Sequence, residues 1–296
     1  MNRAISSAAQ PAGWPPASSR LTLPLWPGVA PGASANPPDK QDTTTANEIL
    51  VAGRPVVLLN NVYSPALALY PAKGHNTGAA VVVFPGGAYQ VLAIDLEGTE
   101  ACDWLSSIGI TCLLLKYRVP GSGPYPKSAA ALEDAQRALG LVRQHAAEWK
   151  IDPNRIGVLG FSAGAHLAAA LSTNFDQRLY PPVDAADQMS CRPDFAVIVY
   201  PGYLSLEEEN FLPNPEIRPT GTTPPQFIVQ TEDDPVHVEN AIVYFTALKN
   251  AKVPAELHVY AEGGHAYGMR PTALPISTWP QAVETWLHTI GILSAG

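Results

Sequence analysis

The stretch Ile156-Gly157-Val158-Leu159-Gly160-Phe161-Ser162-Ala163-Gly164-Ala165-His166-Leu167-Ala168-Ala169-Ala170-Leu171 decides the architecture. Ile156 to Leu159 reads as a short buried strand, and Ala163 to Leu171 as a helix. Between them lies Gly160-x-Ser162-x-Gly164. A serine between a strand and a helix sits in a strained turn, where side chains two residues to either side would collide. Glycines at 160 and 164 remove those collisions. The helix start places backbone N–H groups and a positive dipole end beside the hydroxyl. Ser162 is therefore a candidate nucleophile.

Working outward, strand and helix patterns alternate. Upstream, Pro65 to Tyr70 reads as a short strand and Ala79 to Phe84 as a continuous apolar run, as a strand buried on both faces requires. A helix over Leu96 to Ile108, a strand over Ile110 to Tyr117 and an amphipathic helix over Ser128 to Lys150 follow. Downstream come strand Phe195 to Tyr200, strand Gln226 to Gln230, helix Val238 to Asn250, strand Glu256 to Tyr260 and helix Trp279 to His288. Alternation of this kind predicts an α/β fold, a mostly parallel central sheet with helices on both faces. Sites in such sheets form at the carboxyl ends of strands. Residues 1–45 are rich in Pro, Gly, Ala and Ser and read as an extended arm, leaving 46–296 as a single domain.

With 46% hydrophobic and 15% charged residues among 296, the chain can bury a substantial core. A net charge of -8 argues against nucleic acid or an anionic membrane as partner. No apolar run reaches the roughly 18 residues of a membrane span, and the first 20 residues lack the apolar segment of a signal peptide. Cys102, Cys112 and Cys191 form no C-x-x-C pair; Cys112 reads as a small buried hydrophobe, one bridge stays open, and the compartment is not fixed. No metal-binding motif and no G-x-G-x-x-G opening a helix is present, so neither metal nor nucleotide cofactor is implied.

A serine hydroxyl is a weak nucleophile without a base. Among seven histidines, His265 has the strongest claim. It lies in Glu262-Gly263-Gly264-His265-Ala266-Tyr267-Gly268, a loop just after the last strand that can bring an imidazole over Ser162. A carboxylate should orient that imidazole, and Thr231-Glu232-Asp233-Asp234-Pro235-Val236 follows the preceding strand. Asp233 and Asp234 both qualify by position, and either could instead cap the next helix. Oxyanion donors are expected from Gly86 and Gly87 in Phe84-Pro85-Gly86-Gly87-Ala88-Tyr89, and from the N–H of Ala163.

Together G-F-S-A-G-A-H-L, F-P-G-G-A-Y, E-D-D-P-V and E-G-G-H-A-Y-G resemble bacterial esterases of the α/β-hydrolase fold, in the branch labelled acetyl xylan esterase or, loosely, endo-1,4-β-xylanase. The resemblance runs from about Leu25 through the final helix. It implies a serine carboxylic-ester hydrolase acting on acetyl groups of carbohydrates, and the lack of a long insertion between the core strands argues for short acyl esters and a small lid or none. In relatives with a D-x-x-V acid loop the acting aspartate stands three residues before the valine, which selects Asp233 before Val236. Pro85 and Ala88 depart from the H-G-G-G pattern of esterases, which leaves open which pair among Gly86, Gly87 and Ala88 donates. A true xylanase would need paired carboxylates about a glycosidic bond, whereas the dominant pattern here is a serine triad. The alternative is a small serine peptidase similar to the prolyl and dipeptidyl peptidases, whose propeller domain this chain has no room for.

Overall fold

The computed structural model describes residue 14 and residues 20–33, 43–121 and 129–293. Much of the arm expected over 1–45, and Ser128 at the expected start of a helix, lie outside the described residues.

The described strands are β1 (Thr22–Pro24), β2 (Thr43–Val51), β3 (Arg54–Leu59), β4 (Ala66–Tyr70), β5 (Ala80–Phe84), β6 (Leu92–Ala93), β7 (Thr111–Lys116), β8 (Ile156–Phe161), β9 (Ala196–Val199), β10 (Ser205–Leu206), β11 (Leu212–Pro213), β12 (Gln226–Thr231) and β13 (Ala255–Tyr260). The helices are α1 (Glu100–Ser107), α2 (Ala129–Gln144), α3 (Ala163–Thr173), α4 (Glu239–Asn250) and α5 (Trp279–Thr289). Eight strands make one sheet in the order β1-β4-β7-β5-β8-β9-β12-β13. β4 runs antiparallel to β1 and β7, and the remaining pairings are parallel.

Strand order decides where the helices go. The chain steps one way from β5 to β7 and the opposite way from β7 to β8, and right-handed crossovers then place α1 and α2 on opposite faces. α3 follows α2, and α5 meets α1 through Trp104 and Trp279, with ring centroids 5.6 Å apart. Every residue of β5, β7, β8 and β12 is buried, as their apolar runs anticipate. α2 ends at Gln144 rather than Lys150, in a turn that leads into β8. The expected helix over Leu96 to Ile108 divides into a π-helical turn, Asp95–Thr99, and α1. Cys102 and Cys112 form a disulfide between α1 and β7.

Two N-terminal features are absent from the strand and helix pattern read above. β1 pairs with the edge of the sheet, and beyond it Trp26 donates from Nε1 to the buried carboxylate of Asp134 on α2 at 2.8 Å. β2 and β3 form a hairpin whose turn residues, Ala52 (φ 49°) and Gly53 (φ 73°), both occupy the left-handed region that tight hairpin turns require. With β6 the hairpin makes a second, three-stranded sheet. Arg270 fastens it to the body: the guanidinium donates to the carbonyls of Arg54 (2.9 Å) and Pro55 (3.0 Å) and to Asp95 (2.8 Å).

Candidate active site

Ser162 adopts φ 52°, ψ -117° between β8 and α3. A Cβ on Gly160 would run into the carbonyl of Gly164, and one on Gly164 into the carbonyl of Phe84. The two glycines are therefore required by the packing: the turn is closed against the neighbouring strand and leaves no room for a side chain at either position.

Ser162 Oγ lies 2.8 Å from His265 Nε2, and His265 Nδ1 lies 2.8 Å from Asp234 Oδ2. A carboxylate can only accept, so Nδ1 carries the proton and Nε2 is left to accept from the serine hydroxyl. Asp234 is buried, and it also accepts from the Val236 N–H at 2.7 Å and from Gln230 Nε2 at 3.1 Å. The imidazole packs edge-on against Tyr200, with centroids 5.0 Å apart.

The expected acid is corrected by this geometry. Asp233 does not face the imidazole. It is exposed and accepts from the amides of Gly264 (2.8 Å) and Gly263 (3.2 Å), so it shapes the loop that carries His265. The Gly264 amide, aided by that of Gly263, holds the Asp233 carboxyl below the ordinary aspartate range. The turn after β12 sends successive side chains to opposite sides, and the inward one belongs to Asp234. The three-before-valine spacing locates the turn but not its inner face.

The loop expected to supply oxyanion donors departs from that expectation at Gly86. The Gly86 N–H donates to Glu97 Oε2 at 2.7 Å and is not free for a substrate oxygen. Gly87 and Ala88 line the cavity above Ser162, and among the described residues neither amide carries a hydrogen bond. Ala163 is the first residue of α3, so its N–H has no partner within the helix.

The cavity has a volume of about 510 Å³. Ser162, His265 and Glu97 share its lining with an apolar wall from the hairpin and β6, formed by Val51, Val56, Leu58 and Ala93. The hairpin wall and Glu97, and Tyr200 that holds Glu97 from behind, carry no signature in the local sequence. The hairpin wall comes from a region that reads as an arm and a connection. Glu97 and Tyr200, 103 residues apart, meet only in the fold, where the Tyr200 hydroxyl donates to Glu97 Oε1 at 2.8 Å. Burial pushes the Glu97 carboxyl above the ordinary glutamate value, against the opposing pull of the Tyr200 hydroxyl and the Gly86 amide. His166 lies buried on α3 with Nδ1 2.7 Å from the Tyr89 hydroxyl. Among the described residues no cluster of His, Cys, Asp or Glu could hold a metal ion, and no helix is long and apolar enough to cross a membrane.

A family model described as the alpha/beta hydrolase fold matches residues 81–218, from β5 through the segment beyond β11. A solved structure of an acetyl ester-xyloside bifunctional hydrolase from Caldicellulosiruptor lactoaceticus is 34% identical, with a TM-score of 0.72 over 93% of this chain and 97% of that one. An acetylxylan esterase of Xylanibacter ruminicola is 32% identical over 230 residues, 73% of this chain and 45% of that protein. A protein named endo-1,4-beta-xylanase B of Butyrivibrio fibrisolvens is 30% identical over 62% of this chain and 32% of its own length. The chain thus spans less than half the length of either of these two relatives.

Proposed function

The chain belongs to the α/β-hydrolase family, and on that premise we propose that it is a serine carboxylic-ester hydrolase for short acyl esters, with acetylated carbohydrate as its substrate class. Ser162 Oγ attacks the ester carbonyl while His265 Nε2 takes its proton. Asp234 keeps the imidazole in the required tautomer and stabilises the imidazolium as it forms. The amides of Gly87 and Ala163, with Ala88 beside them, are assigned to the developing oxyanion. Collapse of the tetrahedral intermediate releases the alcohol, protonated by His265, and water then frees the acyl group by the same steps in reverse roles.

The observation that carries this reading is the continuous relay Asp234–His265–Ser162, two links of 2.8 Å ending at the floor of an apolar cavity. The wall of Val51, Val56 and Leu58 suits a small acyl group, and the acetyl and carbohydrate terms in the relatives' names support the choice of substrate. The xylanase in one relative's name belongs to a protein of which this chain matches 32%. The test is hydrolysis of p-nitrophenyl acetate, butyrate and palmitate beside acetate release from acetylated xylan. Acetate or butyrate should be turned over well ahead of palmitate, and acetate should appear from the polymer. Equal palmitate turnover without detergent would contradict the short-acyl reading, and absence of acetate release would contradict the carbohydrate one.

A further inference from the structure

The oxyanion loop is held from behind, one peptide at a time. The Tyr117 hydroxyl donates to the Pro85 carbonyl at 2.5 Å. The Gly86 carbonyl accepts from the Ala93 N–H at 3.0 Å, and the Gly87 carbonyl from the amides of Gln90 (2.9 Å) and Val91 (3.1 Å). In a trans peptide the carbonyl and the following N–H point in opposite directions. Tying down the carbonyls of Gly86 and Gly87 therefore turns the N–H groups of Gly87 and Ala88 the other way, toward the cavity they line.

The N–H of Gly86 itself is fixed by Glu97 Oε2. This residue is wedged so closely that a Cβ would lie 2.7 Å from Glu97 Oε2 and 2.9 Å from Ser162 Cβ. The other oxygen of Glu97 accepts from Tyr200, whose hydroxyl in turn accepts from the Gly268 N–H at 3.2 Å and whose ring lies against His265. One buried carboxylate thus touches the loop after β5 and, through one phenol, the loop after β13. Both oxygens are used, one on the amide next to Gly87 and one on the phenol whose ring packs against His265.

The geometry points to Glu97 as a positioning residue that locks the oxyanion loop to the histidine loop, so that donor amides and base are presented in register. This role rests on the ester-hydrolase reading and deepens it, because it concerns transition-state contacts rather than substrate binding. Glu97 touches no reacting atom; it acts through Gly86 and Tyr200. Its isostere glutamine has one acceptor oxygen: when that serves the Gly86 N–H, its NH₂ faces Tyr200, whose hydroxyl must then reverse and accept.

The experiment measures kcat and KM on p-nitrophenyl acetate for the wild type, Glu97→Gln, Tyr200→Phe and the double variant. Loss of one oxyanion donor costs about 10²–10³ in kcat, so misalignment should lower kcat of Glu97→Gln by about tenfold to hundredfold with KM nearly unchanged. Tyr200→Phe keeps the ring against His265 and the Gly86 contact, and should lose less. The double variant should fall little below Glu97→Gln alone, since both links share one carboxylate. If Glu97→Gln does not fold, Tyr200→Phe decides the matter by the same split. Unchanged kcat in both variants, or a rise confined to KM, would overturn the assignment. A wild type that hydrolyses no ester but is labelled at Ser162 by a fluorophosphonate would sink the esterase reading alone. The labelling rate, slowed by Glu97→Gln or not, would then decide this one.

Discussion

The turn at Ser162 and the turn at Asp233–Asp234 both follow the carboxyl end of a central strand, yet they aim their side chains by different means. At Ser162 the backbone does the work: φ 52° and two glycines pressed against carbonyl groups leave the serine one direction to point. At Asp234 the direction is set by hydrogen bonds, from Val236, Gln230 and His265, while the neighbouring carboxylate turns outward to the amides of Gly263 and Gly264. Steric aiming restricts the residue types within two positions of the serine, even where the clash is with distant Phe84, and it leaves a mark in the sequence. Aiming by hydrogen bonds depends on partners up to 31 residues away, and it leaves none.

The difference can be probed from the serine side first. Ser162→Ala should abolish the nucleophile and lower kcat on p-nitrophenyl acetate by about 10⁶, the scale seen when a triad serine is removed, with the melting temperature little altered. Residual turnover within tenfold of wild type would show that another group attacks. Gly164→Ala is the next largest test, because its methyl must displace the Phe84 carbonyl. Overpacking of this kind costs about 1–3 kcal/mol, and denaturant unfolding should register it together with lost activity. An alanine tolerated without cost would mean that the turn is not closed as described.

Much of the fold was legible for the same reason the elbow was. β5, β7, β8 and β12 are buried on both faces, so each is built on an apolar run with polar residues only at the ends of β7 and β12, and His265 follows its strand in a glycine-rich loop that contains no competing histidine. The hairpin of β2 and β3 is masked by its neighbourhood: Ala52-Gly53 is a two-residue turn between strand-forming runs, but it adjoins a Pro- and Gly-rich arm. The roles of Glu97 and Gly86 were hidden more deeply. Gly86 looks like an oxyanion donor until Glu97, 11 residues on, takes its amide. Spacing points to Asp233, while the imidazole meets its neighbour Asp234 through contacts that no local pattern encodes.

The smallest expected effect lies on the outward carboxylate. Its value is held below the ordinary aspartate range by the Gly264 and Gly263 amides, so the ionised form is favoured in the folded protein. Stability from that contact is present above the unfolded value, about 3.9, and is lost as pH falls through the lowered folded value. The gap in melting temperature between wild type and Asp233→Asn should therefore narrow from neutral pH toward a pH of about 3. A gap that widens on acidification would place the carboxylate elsewhere.

The relay through Asp234 is tested most directly by kcat/KM on p-nitrophenyl acetate for Asp234→Asn and Asp233→Asn measured side by side. Asp234→Asn should lose about 10⁴ because the imidazole is left in the wrong tautomer. Asp233→Asn retains an oxygen for one of its two loop amides and should stay within about tenfold of wild type. Reversal of the two losses would contradict the account and return the acid's role to Asp233.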